Sequence, residues 1–104
     1  MKIGGRKISV RNPPFIIAEL SANHNNNIDR VLKIIKEAKK AGVDAIKLQT
    51  FTADSITLNS SKKDFFIKDK KSLWKNKKLY DLYKEASLPK KWYDEIFKEA
   101  KKMN

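Results

Sequence analysis

Three residues stand out because of where their polarity falls. Phe15-Ile16-Ile17-Ala18-Glu19-Leu20 and the segment Val43 to Thr50 are short and largely apolar. Such runs suit strands covered on both faces of a parallel sheet. Glu19, Lys47 and Gln49 break the apolar rule, all near the C-terminal ends of their runs. In open α/β sheets and in barrels, ligands bind at that end. An unpaired carboxylate or ammonium buried there costs several kcal/mol, so each needs a side chain or a ligand as partner. One possibility is a purely structural Glu19–Lys47 ion pair. The other is a binding and catalytic site that also uses Gln49 and Thr50. There, Lys47 is a point charge for a phosphate or carboxylate. Glu19 is a general acid or base, or a group that orients a hydroxyl.

The polar loop Ser21-Ala22-Asn23-His24-Asn25-Asn26-Asn27 follows the first run directly and places Asn23 and His24 at the mouth of that site. His24 is the sole histidine, and no second ligand lies at metal spacing, so it reads as a hydrogen-bonding loop residue. No metal ligand is expected in this segment. The asparagines can meet sugar hydroxyls, but Asn26 and Asn27 read as turn formers and helix caps. Trp74, Tyr80 and Tyr83 can stack on a sugar or fold over the site. Alternatively Trp74 packs with Phe66, Leu73 and Leu79. Trp92 and Phe97 are expected in the core. Gly4-Gly5 and the isolated Gly42 match neither the P-loop nor the dinucleotide fingerprint.

These residues need elements to position them. Residues 1–11 predict a β-hairpin around Gly4-Gly5, and Asn12-Pro13-Pro14 ends it. From Ile28 the period becomes helical through Val31, Leu32, Ile35 and Ala38. Asp29 in the first turn and Lys39 and Lys40 in the last favour the helix dipole, and Gly42 is placed to end the helix in a left-handed conformation. Residues 15–50 thus predict a βαβ unit with a right-handed crossover. Residues 51–88 form a long connection, of the kind that is usually functional. Leu79, Leu82, Tyr83 and Ala86 mark a short helix inside it. Pro89 opens a last helix over 89–103, with Trp92, Ile96, Phe97, Ala100 and Met103 at helical spacing. Two parallel strands leave both sheet edges unpaired. The expectation is therefore the N-terminal portion of a larger α/β protein, truncated before its third strand.

Composition narrows the class. At 104 residues and 40% hydrophobic, the chain suits one small packed domain. The net charge is +12, but Arg is confined to Arg6, Arg11 and Arg30. Arg is the usual reader of bases and phosphates. Dispersed Lys reads as solvated surface, able to steer an anionic small substrate. A basic polyanion-binding module is the remote alternative. No run approaches the ~20 apolar residues of a membrane span. The first residues lack the apolar stretch of a secretory signal, and there is no cysteine. A cytoplasmic protein with no nucleic-acid or membrane partner is expected.

The segment Phe15 to Asn25 resembles the first-strand signature of the sialic acid synthase family. Ala41 to Thr50 resembles the second-strand signature. Glu19-Leu20-Ser21-Ala22-Asn23-His24-Asn25 is similar to the family's pseudaminic acid branch; the sialic acid branch favours Gly and Glu where Ser21 and Asn25 stand. Leu73-Trp74 and Leu79 to Ala86 look like that branch's long loop, and Arg6-Lys7-Ile8 like the family's hairpin.

The resemblance implies the N-terminal portion of a (β/α)8 TIM barrel that lacks its C-terminal antifreeze-like domain, in a homodimer. It implies condensation of phosphoenolpyruvate with an N-acetylated amino sugar, 2,4-diacetamido-2,4,6-trideoxy-altrose, releasing phosphate in nonulosonic acid biosynthesis. Sialic or legionaminic acid synthesis is the alternative. It makes Glu19 the catalytic carboxylate, Lys47 a phosphoenolpyruvate contact, Gln49 and Thr50 substrate-binding residues, and Asn23 and His24 part of the first active-site loop. A divalent metal, manganese or magnesium, is implied, held mainly by residues outside this sequence. The isolated chain is therefore expected to be inactive.

Overall fold

Gly4 and Gly5 both take positive φ, 54° and 82°, and turn β1 (Lys2–Ile3) back antiparallel onto β2 (Arg6–Lys7). The computed structural model describes residues 1–103. From β2 the Arg6 guanidinium reaches across to pair with Asp44. It also donates to the carbonyls of Pro13 and Pro14 at 3.2 and 3.0 Å and lies 5.7 Å from the Phe15 ring centroid. Asp44 in turn accepts the Ile16 N–H at 2.7 Å. One carboxylate thereby ties the hairpin to the start of the main sheet.

That sheet is β3 (Ile17–Glu19) paired in parallel with β4 (Ala45–Lys47). The register sets Ile17 opposite Ala45, Ala18 opposite Ile46 and Glu19 opposite Lys47. Both strands are shorter than the apolar runs that contain them. The runs predicted strands covered on both faces, and the structure corrects this. Leu20 is buried in the core, with Ile46 and Leu48 packed against it, whereas Ile17 is 50% exposed. Helices cover one face, and Ile17, Glu19, Ala45 and Lys47 share the other by strand alternation.

Helix α1 (Ile28–Lys40) begins at Asn27, whose side chain accepts the Arg30 N–H at 3.0 Å. It ends in a Schellman motif: Gly42, at φ 83°, donates to the Lys39 carbonyl, and Val43 donates to that of Ala38. Both caps are where the sequence predicts them. Val31 and Ile35 carry the buried face and meet Leu20, Leu88 and Ile96. Ile96 comes from α4 (Tyr93–Lys102), which follows a 3-10 turn at Lys90–Trp92. Trp92 packs against this core as expected, but Phe97 is 56% exposed. It lines an open apolar cavity of about 550 Å³ with Ile46, Leu48 and Ile96, between β4 and α4. No element among the described residues closes over it.

The long connection is structured. Helix α2 (Ala53–Ile56) starts with a Thr52/Ser55 capping box. An antiparallel bridge joins Phe66 to Lys78 and closes the lysine-rich segment 67–77 on itself. Helix α3 (Leu79–Ala86) is the short helix expected there. It is tied to α2 by the Tyr80 hydroxyl, which donates to Asp54 at 3.1 Å.

Two outcomes follow. Asp44→Ala removes a charged acceptor with two partners and should cost about 2 kcal/mol in urea unfolding; a loss under about 0.5 kcal/mol would show that Asp44 does not anchor the hairpin. Glu99 lies 3.0 Å from Lys102 and 3.6 Å from Lys36 of α1. The Lys102 hydrogen bond, chiefly, holds its carboxyl below the ordinary 4.5. A lowered folded pKa gives stabilisation that is full above the unfolded value and lost as pH falls through the folded one. Glu99→Gln should therefore flatten the acid limb of the stability curve below about pH 4.5, read by thermal melts.

Candidate active site

Glu19 and Lys47 are the last residues of their strands, and the register alone brings them side by side. Lys47 Nζ lies 2.6 Å from Glu19 Oε1, with the side chains 55% and 50% exposed. The ion pair weighed from the sequence is thus formed, but at an open surface, where neither charge is trapped. Exposed pairs contribute roughly 0–1 kcal/mol and exchange partners readily. Gln49 and Thr50 come just after β4, partly buried and exposed respectively. Thr50 lines the apolar cavity between β4 and α4, which Lys47 also borders.

The loop after β3 is tightly wound. Ser21, Asn25 and Asn26 all take left-handed φ, at 52°, 46° and 51°. Asn tolerates that region better than most residues. Asn23 bonds back to the Leu20 carbonyl through both its backbone N–H, at 3.3 Å, and its side-chain amide, at 3.0 Å. This fixes Asn23 just past the end of β3.

His24, placed by the sequence at the mouth of the site and read as a hydrogen-bonding loop residue, makes its hydrogen bonds within the chain. It is 1% exposed and sits beneath the loop. Its Nδ1 accepts the Asn26 N–H at 3.0 Å, so Nε2 carries the proton and donates to the Ala86 carbonyl at 3.1 Å. The ring stands edge-on to Trp92, centroids 5.9 Å apart. With both nitrogens engaged, His24 fastens the first loop to the last residue of α3 and offers no lone pair to a substrate or metal. Among the described residues, no three His, Cys, Asp or Glu side chains gather as a metal site.

Nothing in the sequence marks this staple, because its distant partner is a backbone carbonyl. The sequence allowed Trp74 to fold over the site but did not show the groove that it lines beside Asn25 and Asn26. That arrangement depends on the Phe66–Lys78 bridge.

The two sets of residues should behave differently in urea unfolding. Lys47→Ala and Glu19→Gln should each change stability by less than about 1 kcal/mol. His24→Ala empties a buried site and orphans two backbone groups, and should cost about 2–4 kcal/mol. Equal losses from Lys47→Ala and His24→Ala would make the ion pair structural.

A family model described as the NeuB family matches residues 34–104. The pseudaminic acid synthase of Campylobacter jejuni is 58% identical over 86 residues, 83% of this chain. That of Helicobacter pylori is 42% identical over 92 residues, 88% of this chain. The N,N'-diacetyllegionaminic acid synthase of Legionella pneumophila is 45% identical over 42 residues, 40% of this chain. The matches cover 24% and 26% of the two pseudaminic acid synthases, so this chain spans about a quarter of their length. No helix among the described residues is long and apolar enough to cross a membrane. The paired strand ends, the loop behind them and these matches together place the chain in the NeuB family.

Proposed function

We propose that this chain is the opening segment of a (β/α)8 barrel synthase that condenses phosphoenolpyruvate with 2,4-diacetamido-2,4,6-trideoxy-altrose and releases phosphate. The observation that carries this reading is the Glu19–Lys47 pair, at the C-terminal ends of adjacent parallel strands and on the face turned away from the helices. In a barrel that face is the interior, and that end holds the active site. The pseudaminic acid synthases of C. jejuni and H. pylori supply the reaction by similarity.

The chemistry suits the residues. Lys47 exchanges the Glu19 carboxylate for an anionic group of phosphoenolpyruvate and holds it by charge. Carbon 3 of the enol attacks the sugar aldehyde, whose oxygen takes up the carbonyl electron pair and a proton to become a hydroxyl, and positive character builds at carbon 2. Water adds there and gives up its protons, and the bond from carbon 2 to the phosphate oxygen breaks, leaving a ketone and inorganic phosphate. Glu19, released from Lys47, takes a proton from that water or orients a sugar hydroxyl. Asn23, Gln49 and Thr50 are the substrate-binding neighbours. His24 serves the site by holding the loop that carries Asn23.

Among the described residues no three His, Cys, Asp or Glu side chains gather as a metal site; a divalent manganese or magnesium ion would be held mainly by residues outside this sequence. The whole enzyme is a cytoplasmic homodimer, and the isolated chain is inactive. The Legionella match favours a legionaminic acid product, but it spans only 42 residues.

The test is a chimera in which residues 1–104 replace the matching quarter of the C. jejuni enzyme. Phosphate release from phosphoenolpyruvate should depend on the altrose-derived acceptor. Lys47→Ala and Glu19→Gln should each lower kcat/KM at least about 100-fold. A chimera that melts cooperatively and releases no phosphate with this acceptor would sink the proposal.

A further inference from the structure

Trp74 is 52% exposed within a lysine-rich stretch, and its neighbour Leu73 is 94% exposed. Of the packing partners expected for Trp74 (Phe66, Leu73 and Leu79), Leu73 therefore does not serve. The Phe66–Lys78 bridge closes the segment so that Trp74 meets the loop after β3. Together they line a groove of about 280 Å³. Its apolar lining includes Trp74, Leu82 and Ala86, and its polar lining is Asn25, Asn26 and Glu85. The groove is held in shape from below, because His24 bonds both the Asn26 N–H and the Ala86 carbonyl.

Each lining group contributes a specific chemistry. An exposed indole offers a flat apolar face, which suits the C–H face of a sugar ring. Two asparagine amides each bring donors and acceptors, which suit hydroxyl and acetamido groups. Glu85 is paired with Lys77, and no lysine or arginine lines the groove to hold a phosphate. Its volume lies just below the range for drug-sized ligand sites, which suits a single small ring. Glu19 and Lys47 are not among its lining residues.

We propose that this groove is a second carbohydrate subsite, separate from the Glu19–Lys47 end, that takes one uncharged N-acetylated pyranose ring. The proposal does not require the synthase chemistry, so either can fail alone.

The test is a titration of the 15N-labelled chain with N-acetylglucosamine, glucose and uridine in parallel. N-acetylglucosamine should shift the Trp74 indole N–H and the Asn25 and Asn26 amides together, with a dissociation constant in the millimolar range. The Trp92 indole, held against His24, should stay in place. Glucose should bind at least about fivefold more weakly. Trp74→Phe should keep the binding and Trp74→Ala should lose it. Asn25→Gly preserves the left-handed backbone while deleting the amide, and should weaken binding severalfold. The subsite is overturned by an absence of shifts, by equal shifts with glucose or uridine, or by unchanged binding in Asn25→Gly or Trp74→Ala.

Discussion

Because side chains alternate along a strand, the pairing of Ala18 with Ile46 settles two matters at once. It turns Leu20, Ile46 and Leu48 toward the helices, where the core forms. It turns Glu19 and Lys47 together onto the opposite face. A slip of one residue in β3 would drive the Glu19 carboxylate into the apolar layer, where an unpaired charge is costly. The register is pinned at both ends. Asp44 takes the Ile16 N–H before the ladder begins, and the Leu20 N–H donates to the Lys47 carbonyl as it ends.

The Arg6–Asp44 and Glu19–Lys47 ion pairs differ in kind. Arg6 bonds two proline carbonyls and faces Phe15 besides meeting Asp44, and Asp44 has a backbone donor of its own. Substitution at either end strands several partners. Glu19 and Lys47 have one short contact between half-exposed groups. A ligand anion can replace the carboxylate at little cost in stability. The same chain therefore carries one pair that holds and one that can exchange. The exchangeable pair stands at the strand ends where α/β proteins bind ligands.

Local physics made much of this legible. Asn27, Asp29 and Gly42 fix the ends of α1 through caps and a left-handed turn, all short-range effects. Gly4-Gly5 marked the hairpin for the same reason. Glu19 and Lys47 stood out as polar breaks in apolar runs. The strand lengths were less legible, because a ladder extends only where both partners exist. Phe15 and Leu48 therefore lie outside it. The distant partner of His24 and the setting of Phe97 were hidden for one shared reason. Their settings depend on what the fold brings near them, a carbonyl 62 residues away in one case and an uncovered cavity in the other.

That cavity and the exposed face of the sheet lie on opposite sides of one strand. Ile17 is half exposed on one side of the sheet, while Phe97 is exposed beside Ile46 and Leu48 on the other. Strand β4 lies between them and pairs only with β3 among the described residues. On the barrel reading, one further parallel strand beside β4 would satisfy its free edge, and its helix-side residues would fill the cavity. Its opposite face would stand beside Lys47, walling the pair off from water on that side. The desolvation that strengthens a lysine–anion contact would then come from the same strand that completes the core.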